Sequence, residues 1–136
     1  MAAEISSEMN KIDLKKVRSF LRKESYWAKG RTPKAILKSI ANSLCYSILE
    51  GGRFAGFARV VTDYSTVYYL CDVFILQEHR GKGLGKKLVN HVVKDPRLRG
   101  CMGMLLTRDA HGLYSRHGFT GQEKERKMFM TKRGRD

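Results

Sequence analysis

Three glycines in five residues, Gly81, Gly83 and Gly85, sit among Arg80, Lys82, Lys86 and Lys87. An apolar run, Val73-Phe74-Ile75-Leu76, precedes them, and an amphipathic stretch opens at Leu84. Glycine allows a tight turn and lets a ligand approach bare backbone. A helix starting here would aim its unpaired N–H groups at the turn, where hydrogen bonding and the macrodipole favour an anion. The basic side chains add positive charge, so the stretch suits phosphate. Two familiar phosphate patterns fail. A P-loop counted from Gly81 requires a second glycine where Lys86 stands. A dinucleotide turn requires a third glycine where Lys86 or Leu88 stands. What remains is Arg-x-x-Gly-x-Gly, written here as Arg80, Gly83 and Gly85.

The elements around this loop can be read from period and punctuation. Residues 1–12 read as a polar, frayed lead-in, 13–131 as a single domain and 132–136 as a basic tail. Asp13 is a plausible N-cap for a helix through Leu14, Val17, Phe20 and Leu21. Thr32-Pro33 signals a second helix carrying Ala35, Ile36, Ile40 and Leu44. Between them, Tyr26 and Trp27 either line a substrate mouth or anchor packing. Gly51-Gly52 between apolar runs marks a hairpin joining 45–50 to 53–62. Residues 66–76 form the longest strand, apolar on both faces and therefore central in a sheet covered on both sides. Alternation puts Tyr68, Leu70, Asp72, Phe74 and Leu76 on one of those faces. Asp72 is the exception in charge. Leu84, Leu88, Val89, Val92 and Val93 give the helix after the loop a buried stripe. A short strand over 101–107 then completes a parallel βαβ pair. Asp109 is a fair cap for a helix through Leu113 and Tyr114, Phe119 opens a strand, and 127–131 alternates as a last edge strand.

The loop after its strand resembles the acetyl-CoA pyrophosphate loop of the GCN5-related N-acetyltransferases (GNAT). The segment Ala110-His111-Gly112-Leu113-Tyr114-Ser115-Arg116-His117-Gly118-Phe119 is similar to a second signature of that family, Ala-x-x-Leu-Tyr-x-x-x-Gly-Phe. The resemblance implies an α+β (mixed α/β) fold: a mostly antiparallel sheet, helices on both faces, and a parallel strand pair that splays open. It implies acetyl-CoA as acetyl donor, held by Arg80, Gly81, Lys82, Gly83, Leu84, Gly85 and Lys86, with the main chain at Phe74 and Ile75 on the pantetheine and thioester. It puts Tyr114 in the place of the general acid, where a phenol suits protonation of a leaving thiolate. Asp72 is the base candidate, on the expectation that burial beside Tyr68, Leu70 and Phe74 raises its pKa. His79, His111 and His117 are reserves, expected at the surface.

The expected reaction is acetyl transfer to a primary amine by direct attack in a ternary complex. The short chain favours a small-molecule acceptor. A peptide N-terminus or lysine is the first alternative, and a non-catalytic acyl-CoA sensor or basic nucleic-acid module the second. At 136 residues there is room for one domain. The net charge of +14 attracts polyanions. Its basic residues are scattered, however, with no dedicated nucleic-acid motif, and coenzyme A itself carries several phosphate charges. No metal site is expected from Cys45, Cys71 and Cys101, which read as reduced thiols; a thioester on Cys71 is the functional alternative. There is no bilayer-length apolar run and no signal-peptide core, which sets the expectation of a cytoplasmic protein without membrane contact. An exposed edge strand leaves a homodimer open.

Overall fold

The structure, a computed structural model, describes residues 2–121 and 127–134. Among these, five strands form one sheet in the order β1-β2-β3-β4-β5. β1 (Ala3–Ser6), β2 (Leu44–Glu50), β3 (Arg53–Thr62) and β4 (Val67–Ile75) pair antiparallel, and β5 (Met102–Met104) runs parallel to β4. The expected mixed, mostly antiparallel α+β sheet is therefore present. Residues 2–12, read from sequence as part of a frayed lead-in, are ordered against the core. Ile5 packs against the core, the Gly51 N–H donates to the Ala2 carbonyl at 3.1 Å, and the segment becomes the edge strand β1.

Helices α1 (Leu14–Lys23) and α2 (Pro33–Ala41) start as their caps dictate. The Asp13 carboxylate accepts from the Lys16 N–H and the Thr32 hydroxyl from the Ala35 N–H, each at 3.1 Å. Leu44 does not extend α2; it opens β2. The hairpin turn has φ of 57° at Gly51 and 79° at Gly52, the left-handed region that glycine enters without strain. Helices α1 and α2 cover one sheet face through Val17, Phe20, Leu21, Ile36 and Ile40, which pack with Phe57 and Phe74. Helix α3 (Leu84–Val93) covers the other through Leu88, Val89 and Val92, which pack with Tyr46, Val60 and Leu70.

One irregularity corrects the expected alternation in β4. Arg59 faces Cys71 and Phe57 faces Phe74, so Ala58 opposes two residues, Asp72 and Val73. This is a β-bulge, and Asp72 occupies it at φ 53°. The extra residue shifts the parity of the strand. Tyr68 and Leu70 therefore belong to the α3-side core, while Phe74 and Leu76 belong to the α1/α2-side core.

The parallel pair opens as expected. β4 and β5 pair only from Val67↔Met102 to Tyr69↔Met104. β5 then ends, shorter than the anticipated 101–107, and β4 runs on to Ile75. The closed end is tight, since a Cβ on Gly103 would lie 2.5 Å from the Tyr68 ring. Helix α4 (His111–Ser115) follows Ala110 rather than an Asp109 cap. No strand forms over 119–121, and its continuation at 122–126 lies outside the described residues. The anticipated edge strand at 127–131 is absent, because Lys127 and Met128 are helical.

Candidate active site

The opening between β4 and β5 leads to a cavity of about 310 Å³. Val73, Phe74 and Ile75 of β4 line one wall, Arg80, Gly81, Gly83, Leu84 and Gly85 the next, and Ala110, Leu113 and Tyr114 the side across from them. The two stretches singled out in the sequence, about 30 residues apart, thus meet across one cavity.

The loop wall is built from backbone. Gly81 has φ 82° and Gly83, the N-cap of α3, has φ 78°, positions that an L side chain occupies only with strain. A Cβ at either would meet nothing within 4 Å, so the constraint is conformational rather than steric. No side chain caps α3, which leaves its first-turn N–H groups available as donors. Gly85, expected to be a turn residue, lies inside α3 without a positive φ, and a Cβ there would meet the Ile75 side chain at an ordinary 3.8 Å. The Leu76 N–H donates to the Ala55 carbonyl at 2.8 Å. By antiparallel alternation the main-chain groups of Ile75 point away from β3. There the Ile75 carbonyl accepts from Arg80 Nε at 2.9 Å. The Phe74 ring is stacked on Phe20, centroids 4.0 Å apart, so its contribution to the cavity is main chain.

One expected anion ligand is engaged elsewhere: Lys82 Nζ donates to Glu50 Oε1 at 2.9 Å. Lys86 is exposed and does not line the cavity wall. Glu50, at the end of β2, is 7% exposed and also lies 2.7 Å from His79 Nδ1. These bonds from His79 and Lys82 hold its carboxyl below the ordinary range. His79 is therefore not a surface histidine: it is buried, lines the cavity and ties the loop to the hairpin. Sequence reasoning missed Glu50, which a strand-end carboxylate beside Gly51-Gly52 did not advertise.

Tyr114 is buried at the cavity, edge-on to Phe119, and burial pushes its phenol up to about 12. Asp72 does not line the cavity. It lies on the α1/α2 side, where Trp27 Nε1 donates to Oδ1 and Arg31 NH1 and Arg59 Nε donate to Oδ2, each at 2.8 Å. Burial alone would raise its carboxyl, but the two guanidiniums outweigh it and the pKa falls. The premise of a burial-raised base at Asp72 is not met. Trp27 is accordingly a packing anchor by its nitrogen, and its ring packs edge-on against Tyr26. The Tyr26 hydroxyl accepts from the Arg108 N–H at 2.8 Å, and the Arg108 guanidinium lies 3.9 Å above the Tyr26 ring.

The pattern of the acetyltransferase (GNAT) family matches residues 14–119. The chain belongs to that family. A GNAT-family protein of Xanthomonas campestris pv. campestris, xcc2953, is 36% identical and superposes with a TM-score of 0.92, covering 98% of this chain and 94% of that one. FG08082 of Gibberella zeae, which carries the name acetyltransferase, is 26% identical over 136 residues, 83% of this chain and 76% of that protein. The GNAT protein SP0256 of Streptococcus pneumoniae shares the fold at 20% identity and a TM-score of 0.71, covering 99% and 98% of the two chains. Among the described residues, no group of His, Cys, Asp and Glu could hold a metal ion. None of their helices is long and apolar enough to cross a membrane.

Proposed function

We propose that the protein is an N-acetyltransferase that moves an acetyl group from acetyl-CoA to a primary amine of a small molecule in a ternary complex. The observation that carries this is the cavity itself: an uncapped helix N-terminus on a glycine turn, the open edge of β4, and a buried phenol opposite. The residues fit the donor. First-turn amides of α3 and the backbone of Gly81 and Gly83 would hold pyrophosphate, and Arg80 and Lys86 would add charge at the rim. On β4 the Ile75 N–H, turned away from β3, would align the pantetheine arm, while the Phe74 main-chain groups face β3. When bound, acetyl-CoA supplies the activated acyl group as a thioester.

Tyr114 keeps its proton across the physiological range, since burial raises its phenol, and it would give that proton to the departing thiolate. Asp72 acts as a positioning residue. It fixes the loop of residues 24–32 across the opening, and the amine loses its proton to solvent. That loop is tied at both ends, to Asp72 by Trp27 and Arg31 and to Arg108 by Tyr26, which favours a small acceptor over a peptide laid along the strands.

Calorimetric titration with acetyl-CoA, followed by coenzyme A release with a panel of amines, tests the reading. One-site binding is expected. Tyr114→Phe should retain the acetyl-CoA Kd and lose about 100-fold in kcat. In the native protein the rate should rise with pH as the amine deprotonates, with no alkaline fall below about pH 10. Folded protein that binds no acetyl-CoA would end this reading.

A further inference from the structure

The charges on the α1/α2 side of the opening do not balance. Asp72 is the carboxylate that meets both Arg31 and Arg59, a single negative charge between two guanidiniums. The Arg59 side chain is nearly buried, and its NH1 donates to the neutral Ser43 hydroxyl at 3.0 Å. Arg31 donates to Asp72 through NH1 alone, and its side chain stays 31% exposed at the mouth. Its other guanidinium donors have no acceptor among the described residues. Arg108, which follows β5 and meets the same loop at Tyr26, is stacked on that ring and has no carboxylate partner among the described residues. The group around Asp72 thus carries excess positive charge where water is partly excluded, and Arg108 adds an exposed charge against the same loop.

A guanidinium is a planar fork of donors that matches a carboxylate or phosphate in two hydrogen bonds. Arg31 is held in orientation by Asp72, so little of its freedom remains to be lost when an anion docks. Tyr26 and Trp27, on the same loop, are both partly exposed. Resting on the acyl-transfer reading above, we propose that the acceptor is an amine that also carries an anionic group, a carboxylate or a phosphate, and that Arg31 is its principal recognition residue with Arg108 in support. The anion docks on the loop side of the opening while the amine turns toward Tyr114. A cationic acceptor such as a polyamine, or a lysine within a basic peptide, would be repelled at the same mouth.

The test uses matched amines in coenzyme A release: β-alanine against propylamine for the carboxylate, phosphoethanolamine against ethanolamine for the phosphate. The anionic member of at least one pair should be preferred by about tenfold or more in kcat/KM, chiefly through KM. The pair that shows the preference names the anion. In Arg31→Gln the ratio should fall toward one, and in Arg31→Lys it should be partly kept. Because the readout is a ratio within each variant, a loss of folded protein does not imitate it, and acetyl-CoA titration of each variant confirms folding. Equal or better use of the neutral member, a ratio indifferent to Arg31→Gln, or no turnover of any anionic amine by protein that binds acetyl-CoA would each overturn the proposal. Failure to bind acetyl-CoA would instead remove the acyl-transfer reading on which it stands.

Discussion

The two sides of the β4–β5 opening are made of different materials. On the α3 side the wall is main chain: two glycines at positive φ, an uncapped helix start and the Ile75 N–H on the edge of β4. On the α1/α2 side it is a side-chain mesh, in which Trp27, Arg31, Arg59 and Asp72 come from three separate stretches of chain. A backbone wall binds what every donor of one kind has in common. A side-chain mesh can be altered residue by residue, and so suits the partner that varies. The difference also sets how each side fails. The first depends on conformation, the second on charge balance.

Substitutions should separate the two. The largest effect is expected on the backbone side. Gly83→Glu places a side chain at φ 78° and a negative charge at the anion site, and should reduce acetyl-CoA affinity by more than about 100-fold in calorimetry. Its cost in stability should be only about 1–2 kcal/mol. Asp72→Asn should do the reverse. Removing the carboxylate leaves two guanidiniums facing each other in a nearly buried place, at a cost of about 3 kcal/mol in urea unfolding, while acetyl-CoA still binds. The pH dependence gives a second view. The folded pKa of Asp72 is depressed, so its stabilisation is full above the unfolded value near 4 and is lost as pH falls through the folded value. Acid unfolding should therefore be less steep below about pH 4 in Asp72→Asn than in the native protein. The smallest effect belongs to Glu50, which acts on the loop through His79 and Lys82. Glu50→Gln should weaken acetyl-CoA binding about fivefold, with kcat at saturation unchanged. A drop in kcat with unaltered Kd would mean that Glu50 serves chemistry rather than loop position.

The same contrast explains what could be read from sequence. The loop 80–85 and the segment 110–119 are local patterns, contiguous in the chain, and the structure brings both to one cavity. Helix caps at Asp13 and Thr32 and the Gly51-Gly52 turn are local as well, and they form as expected. The mesh around Asp72 is not local. Trp27 and Asp72 stand 45 positions apart, and nothing in the spacing of Arg31 or Arg59 announces that they meet. The inference that burial raises Asp72 failed because burial brought two cations with it. Lys82 looked like a phosphate ligand until Glu50, 32 positions away, was seen to hold it. The frayed lead-in failed for a related reason. A four-residue strand with one large apolar side chain has almost no period of its own, and β1 exists because β2 offers it an edge. The bulge at 72 was likewise invisible, since strict alternation and alternation with one extra residue both place apolar groups on both faces of so apolar a strand.

That bulge gives β4 two reading frames. Residues before Asp72 are addressed to one side of the sheet by one parity, and residues after it by the other. Substitutions in either half are local edits. A change of length is not: deleting one residue at the bulge would exchange the addresses of everything on one side of it, sending Phe74 to the α3 face and Ile75 to the Phe20 face. A substitution in the strand is thus felt where it is made, whereas its residue count is shared by the whole strand, and the count is what keeps the loop and the mesh facing the same opening.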